Sequence, residues 1–266
     1  MQFRRPLIRA VTVTTVVTVL VVAGGRAGVG PLAAVTPPDQ VTEPREMLAR
    51  AVQSLIDADS VHIQASLSGH VRGDMLGRPG FEIFVNGTTL AMDLRPHDAK
   101  TRSHFVSPSL GIAADAVTVW DSLYTRSVAN GPWAKSSLGA AVGAAGIDAN
   151  PLTIVDRLRT WLDTSGVPSP TVHDVPCAGE SGRCHEITLQ AGTAPAAILG
   201  RLFPAGAVDA VGPAKTTVTV QVDVATLRPA HLVVTVANAD GTVSLLLTAD
   251  VSAWDAPVVI EEPPAG

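Results

Sequence analysis

From Lys215 to Pro263 the chain alternates between apolar and polar side chains with a period of two residues. Val218, Val220, Val222 and Val224 face one way, and Thr217, Thr219, Gln221 and Asp223 the other, the pattern of a half-buried strand. Ala225 to Pro229 reads as a turn, because Pro229 has no amide donor and restricts the residue before it. Leu232 to Val236 forms a second strand, and Asn238-Ala239-Asp240-Gly241 supplies turn chemistry. Val243, Leu245 and Leu247 then alternate again, before Asp250 to Pro257 leads into a further apolar run, Val258-Val259-Ile260. The connections are too short for a crossover helix, so this is an antiparallel meander with one oily face. Such a face must be covered.

Upstream, the periodicity at Pro44 is helical. Met47, Leu48, Ala51, Val52, Leu55 and Ile56 form one stripe while Glu46, Arg50, Gln53 and Asp57 face water. Thr42 is a candidate cap and Pro44 suits a first turn. The helix runs straight into a strand in which Val61, Ile63, Ala65, Leu67 and Val71 alternate with His62, Gln64, Ser66, Ser68 and His70. Further strands follow at Phe81-Ile83-Val85 and Leu90-Met92-Leu94, with Asn86-Gly87 as the hairpin turn between them. Shorter ones are expected at Thr101 to Val106, Val117 to Trp120 and Leu123 to Ser127, and Ala129 to Pro132 ends the series.

The middle has a different texture. Ser136 to Asn150 is rich in alanine and glycine. Leu152, Val155, Leu158 and Leu162, joined by Ile154 and Trp161, predict an amphipathic helix that stops at Gly166. A shorter helix, Ala194 to Phe203, presents Ile198, Leu199, Leu202 and Phe203. These two helices are the expected lid over the sheet.

Composition narrows the function. Only 16% of the 266 residues are charged and the net charge is −5, which argues against a nucleic-acid partner. Aromatic content is 4%, so any cavity is lined by aliphatic side chains and suits a flexible hydrocarbon better than planar rings. At the amino terminus Arg4, Arg5 and Arg9 precede an uncharged apolar run from Ala10 to Gly25, which reads as an export signal at residues 1–25. It is cleaved or kept as an anchor; the run is short for a span of about 20 residues. Residues 26–43, with Pro31, Pro37 and Pro38, read as a linker, leaving 44–266 as a single domain. The chain is then an exported, monomeric protein of the cell envelope.

Cys177 and Cys184 are the only cysteines, and in an exported chain they are expected to form a disulfide that closes a hairpin loop. The other chemistry is thin. Gly179-Glu180-Ser181-Gly182 superficially matches a serine-hydrolase loop, but Arg183 stands where the next glycine belongs. The seven histidines are scattered, without the spacing that gathers metal ligands, and His62 and His70 are expected simply to be wetted on the polar face of their strand. No phosphate-binding loop occurs. The sequence therefore offers no catalytic residue, metal site or cofactor.

Several stretches resemble the mycobacterial LppX and LprG lipoprotein family. Arg50 to His62 is similar to its opening helix and strand, Gly131-Pro132-Trp133-Ala134-Lys135 to a segment after a strand, Val222 to Pro229 to a late strand and turn, and Ser252 to Pro263 to the tail. The resemblance implies an α+β fold in which a curved antiparallel half-barrel sheet, as in the related LolA and LolB carriers, carries helices over its concave side. It also implies a cavity for acylated lipid or lipoglycan, exchanged with membranes and in some settings with a membrane transporter. That family has a lipid-modified cysteine at the end of its signal; Val22-Ala23-Gly24-Gly25 resembles the cleavage box with Gly25 in its place.

The lining expected on this reading is Val61, Ile63, Leu67, Phe81, Ile83, Val85, Leu90 and Met92 from the strands, facing Leu158, Trp161, Leu162, Leu199, Leu202 and Phe203 from the helices. The same side chains could instead pack together as a solid core. In that case the domain is a non-catalytic interaction or sensor module on the same fold.

Overall fold

The computed structural model describes residues 41–72, 82–127, 131–138, 169–178, 182–192 and 214–264. The helix α1 (Pro44–Asp57) starts with Pro44 in its first turn. Its N-cap is Glu43 rather than Thr42, with no side-chain capping bond, and Glu43 O accepts the first helical hydrogen bond from Met47 N at 3.0 Å. Ala58 leaves the helix in an extended conformation, and the chain passes directly into β1 (Val61–Arg72).

The remaining strands are β2 (Glu82–Phe84), β3 (Thr88–Arg95), β4 (Lys100–Ser107), β5 (Ile112–Val119), β6 (Ser122–Arg126), β7 (Ala134–Ser137), β8 (Thr171–Pro176), β9 (Arg183–Gly192), β10 (Ala214–Asp223), β11 (Pro229–Asn238) and β12 (Val243–Ser252). All lie in one 12-stranded sheet of order β7-β6-β5-β4-β3-β1-β12-β11-β10-β9-β8, with β2 paired to β1 off this path. Every pairing is antiparallel. The edge strands β7 and β8 do not pair with each other, so the sheet is an open, curved half-barrel.

Local chemistry explains the corners. Asn86-Gly87 turns β2 into β3 with Gly87 at φ 72°, a conformation open to glycine at little cost. Between β10 and β11 the carboxylate of Asp223 accepts hydrogen bonds from the amides of Ala225 and Thr226 and from the Thr226 hydroxyl. At the next corner Asn238 Oδ1 accepts from Val243 N at 2.8 Å. Gly69 marks a handover inside β1: up to Leu67 the strand pairs with β3, and from His70 with β2. Its φ is 122°, and a Cβ there would stand 1.9 Å from the carbonyl oxygen of Ser244. The close approach of β12 requires glycine.

Two elements differ from the expectation, and the disulfide matches it. β5 begins at Ile112, well before Val117, since pairing with β4 along its whole length overrides the weak strand preference of Ala113 and Ala114. Val258 to Ile260 is irregular rather than a strand; Ile260, 3% exposed, packs on Val117 and Tyr124 as the tail crosses the sheet. The cysteines form the disulfide, Cα to Cα 5.0 Å, at the loop end of the β8–β9 hairpin. The helices expected over Leu152 to Leu162 and Ala194 to Phe203 lie outside the described residues, as does Ser181. No helix among the described residues is long and apolar enough to cross a membrane.

Candidate functional site: an apolar face shared by ten strands and one helix

Cross-strand register assembles the site. Ala65 of β1 stands opposite Leu90 of β3 on one side and Ala249 of β12 on the other. Leu90 continues to Phe105 and Ala114, while Ala249 continues to Leu232, Val220, Ile187 and Val172. One apolar row thus runs unbroken from β5 to β8. A second row, Leu67-Leu247-Val234-Val218-Leu189, lies beside it, and a third joins Met92, Ile63 and Val251. Successive strand residues point to opposite faces, so all of these share one face, the inner one. The helix α1 packs on its far end: Met47, Leu48 and Ala51 cluster with Ile187, Leu189, Val222 and Leu227.

The expected strand lining divides by burial. Val61 and Met92 are each 2% exposed and Leu90 is 7% exposed, enclosed in core clusters with Leu94, Val251 and Ala249. Ile63, Leu67, Ile83 and Val85 are half-buried. Ile83 sits opposite Val71 on the same face, and Val85 N donates to Gly69 O at 3.0 Å. Phe81, Leu158, Trp161, Leu162, Leu199, Leu202 and Phe203 lie outside the described residues. The face is wider than the expected lining: Leu232, Val234, Val236, Leu245, Leu247, Val218 and Val220 are half-buried members of it. Their alternation is visible in the sequence; their place beside Ile63 and Leu67 depends on the β1–β12 pairing.

The outer face carries charged pairs beside the apolar cluster of Val117, Tyr124 and Ile260. Asp93 accepts from His62 Nδ1 at 2.8 Å and from Arg102 at 2.7 Å. One strand further, Asp115 accepts from His104 Nδ1 and from Arg126 Nε, both at 2.6 Å. Burial pushes both carboxyls upward, but the hydrogen bonds and charges of these partners outweigh it and hold each below the ordinary 3.8. His231 pairs with Asp250 at 2.6 Å and His70 with the carbonyl of Gly241 at 3.0 Å. His62 and His70 are therefore tied to protein partners rather than merely wetted.

No protein-family model matches the chain, and no curated protein matches it. Among solved structures it is similar to lipoprotein LppX of Mycobacterium tuberculosis, with a TM-score of 0.53 and 12% identity over 82% of this chain and 98% of that one. More distant similarities are to MucB in its complex with the periplasmic part of MucA (TM-score 0.34, 12% identity, 81% of this chain and 57% of that one). A LolA-superfamily protein of Nitrosomonas europaea gives a TM-score of 0.28 at 9% identity, over 84% and 96% of the two chains. The fold of this chain is LppX-like.

Proposed function

We propose that the protein is an exported lipid-binding carrier of the cell envelope, whose domain from residue 44 onward holds the hydrocarbon of an acylated lipid or lipoglycan against the inner face. The observation that carries this reading is the continuous apolar face, half-buried at Ile63, Leu67, Val218, Val234, Val236, Leu245 and Leu247. Half-buried aliphatic side chains in adjacent rows are what a flexible chain needs as a partner. Burying one methylene is worth about 0.8 kcal/mol, so an enclosed chain of about 16 carbons gains roughly 12 kcal/mol relative to water. A bilayer offers nearly the same, so exchange with a membrane costs little and needs no catalytic group. The LppX-like fold and the disulfide agree with an exported role.

Native mass spectrometry of protein purified from the envelope tests the reading. Wild type carries lipid-sized adducts, and Leu67→Trp and Leu247→Trp, which fill facing positions of one row, lower that loading with the fold intact. Lipid-free wild-type protein sinks the carrier reading. It leaves the interaction or sensor module around a filled core, which the enclosure of Val61, Leu90 and Met92 favours.

A further inference from the structure

On the outer face, a groove of about 240 Å³ opens between β1 and β6, walled by His62, Asp93, Arg102, His104, Asp115 and Arg126 over a floor that includes Ala91 and Val117. The wall repeats one unit. In each half an aspartate receives a histidine Nδ1 on one oxygen and an arginine on the other. Arg102 and His104, two residues apart on β4, link the halves.

These bonds leave donors unused. Arg126 spends Nε on Asp115, and neither of its Nη groups has a protein acceptor among the described residues. Arg102 spends Nε and one Nη on Asp93, leaving the other Nη. The Arg126 guanidinium is held 4.6 Å above the Trp133 ring, which fixes its plane at the groove's edge. Both aspartate carboxylates are already engaged on each oxygen, so the groove offers guanidinium N–H groups rather than bare negative charge. Fixed forks of N–H donors match the oxygens of phosphate-like anions.

The histidines decide the charge. With Nδ1–H donated to aspartate, a neutral imidazole presents Nε2 as an acceptor, which repels an anion; a protonated one presents a donor. Two arginines against two aspartates balance to zero, and protonation of His62 and His104 makes the groove doubly positive. Among the neighbouring charges, Lys135 pairs with Glu262 and Arg95 with Asp98. Asp250 with His231 is negative while that imidazole is neutral and balanced once it is protonated, which acts in the same direction as His62 and His104. Gln64 and Ser252 on the flanking strands are neutral.

We propose that this groove binds a tetrahedral oxyanion, the phosphoryl group of a lipid headgroup or of free phosphate, and binds it more tightly when His62 and His104 are protonated. The site lies on the face opposite the apolar rows and does not depend on what those rows hold.

Titration calorimetry of the full chain with inorganic sulfate, whose own charge is constant over this range, tests the proposal. Binding at pH 5.5 is expected to exceed that at pH 7.5 by about tenfold or more, the effect of one charge-assisted hydrogen bond or better. Arg126→Gln removes the free donors, and Ala91→Glu puts a negative charge on the floor while leaving both aspartate units whole. Each lowers affinity about tenfold or more. Absence of sulfate binding at pH 5.5, equal binding at both pH values, or wild-type affinity in both variants overturns the proposal. The source is read with inorganic phosphate and with phosphatidylcholine vesicles that contain or lack phosphatidic acid. Preference for phosphatidate vesicles over phosphate assigns a lipid headgroup, and phosphate binding without vesicle binding assigns the free anion. Equal binding to both kinds of vesicle, with no response to phosphate, overturns it. Leu67→Trp leaves sulfate binding unchanged, which separates this test from that of the carrier reading.

Discussion

Ala65 and Ala249 face each other across the β1–β12 pair. They form a low point in a row whose other central members, Leu90 and Leu232, are large. Both are buried, at 8% and 7% exposure, where β1, at the middle of the strand order, meets the carboxy-terminal meander. Ala249→Leu puts a larger side chain into this packed position. It is expected to cost about 1–3 kcal/mol through overpacking against Leu90 and Leu232 and to reduce the lipid carried. Ser244→Leu, on the exposed outer side of the same strand, leaves loading unchanged. Urea denaturation and native mass spectrometry read the two effects separately.

Gly69 and Gly111 both have positive φ but differ in surroundings. At Gly69 a Cβ meets Ser244 O at 1.9 Å, whereas at Gly111 nothing lies within 4 Å. Gly111→Ala therefore costs about 1 kcal/mol for its backbone conformation. Gly69→Ala costs more, since β1 and β12 must also separate. Denaturation midpoints of the two variants check the order, and equal midpoints would contradict this account of the β1 bend.

Acid should weaken the outer face. Asp93 and Asp115 have folded-state pKa values below the ordinary 3.8, so their partners stabilise the ionised form. That contribution is fully present above the unfolded value and is lost as pH falls from about 4 through the lower folded values. Each is worth about 1 kcal/mol at neutral pH, given partial exposure. Asp93→Asn is thus less stable than wild type at pH 7, with the gap narrowing toward pH 3. Thermal melts across this range measure it.

Thr101 and Thr118 sit opposite each other, both 0% exposed. Neither hydroxyl oxygen has a hydrogen-bond partner among the described residues. An unsatisfied buried hydroxyl costs about 1–3 kcal/mol. Thr118→Val keeps the shape and removes the polar atom, so it is expected to raise the urea midpoint. A lowered midpoint would mean the hydroxyl is satisfied in solution.

The disulfide closes a short loop, with a sequence separation of 7, so its loss removes about 2 to 3 kcal/mol in the chain-entropy model. Cys184 is 0% exposed, and its cluster with Cys177, Ala230 and Val175 is small. Cys177→Ala with Cys184→Ala should therefore raise hydrogen exchange first in β8 and β9, with β1 and β3 little affected.

Much of the architecture was legible in periodicity. The period of two predicted strands containing Ile63, Leu90 and Val220, the 3.6-residue stripe predicted α1, and Asn86-Gly87 and Asn238 to Gly241 predicted turns. These are local signals, because a backbone conformation and the side chain that favours it belong to the same few residues. The strands β8 and β9 around the cysteines were not predicted, because their alternation is short and broken by polar residues such as Asp174 and Glu186.

By itself the sequence determined that one face of the sheet would be oily and that a helix would feed directly into β1. Only the tertiary structure decided which oily faces join and which polar side chains meet. Leu67 and Leu247 lie 180 residues apart in the chain, and Ile63 and Val251 lie 188 apart; no spacing rule connects them. Of the histidines that look scattered along the chain, His62, His104, His185 and His231 each find an aspartate only once register places neighbouring strands about 4.8 Å apart. Strand pairing is set by the summed burial of whole faces, a property of the assembled sheet that no short stretch of residues carries.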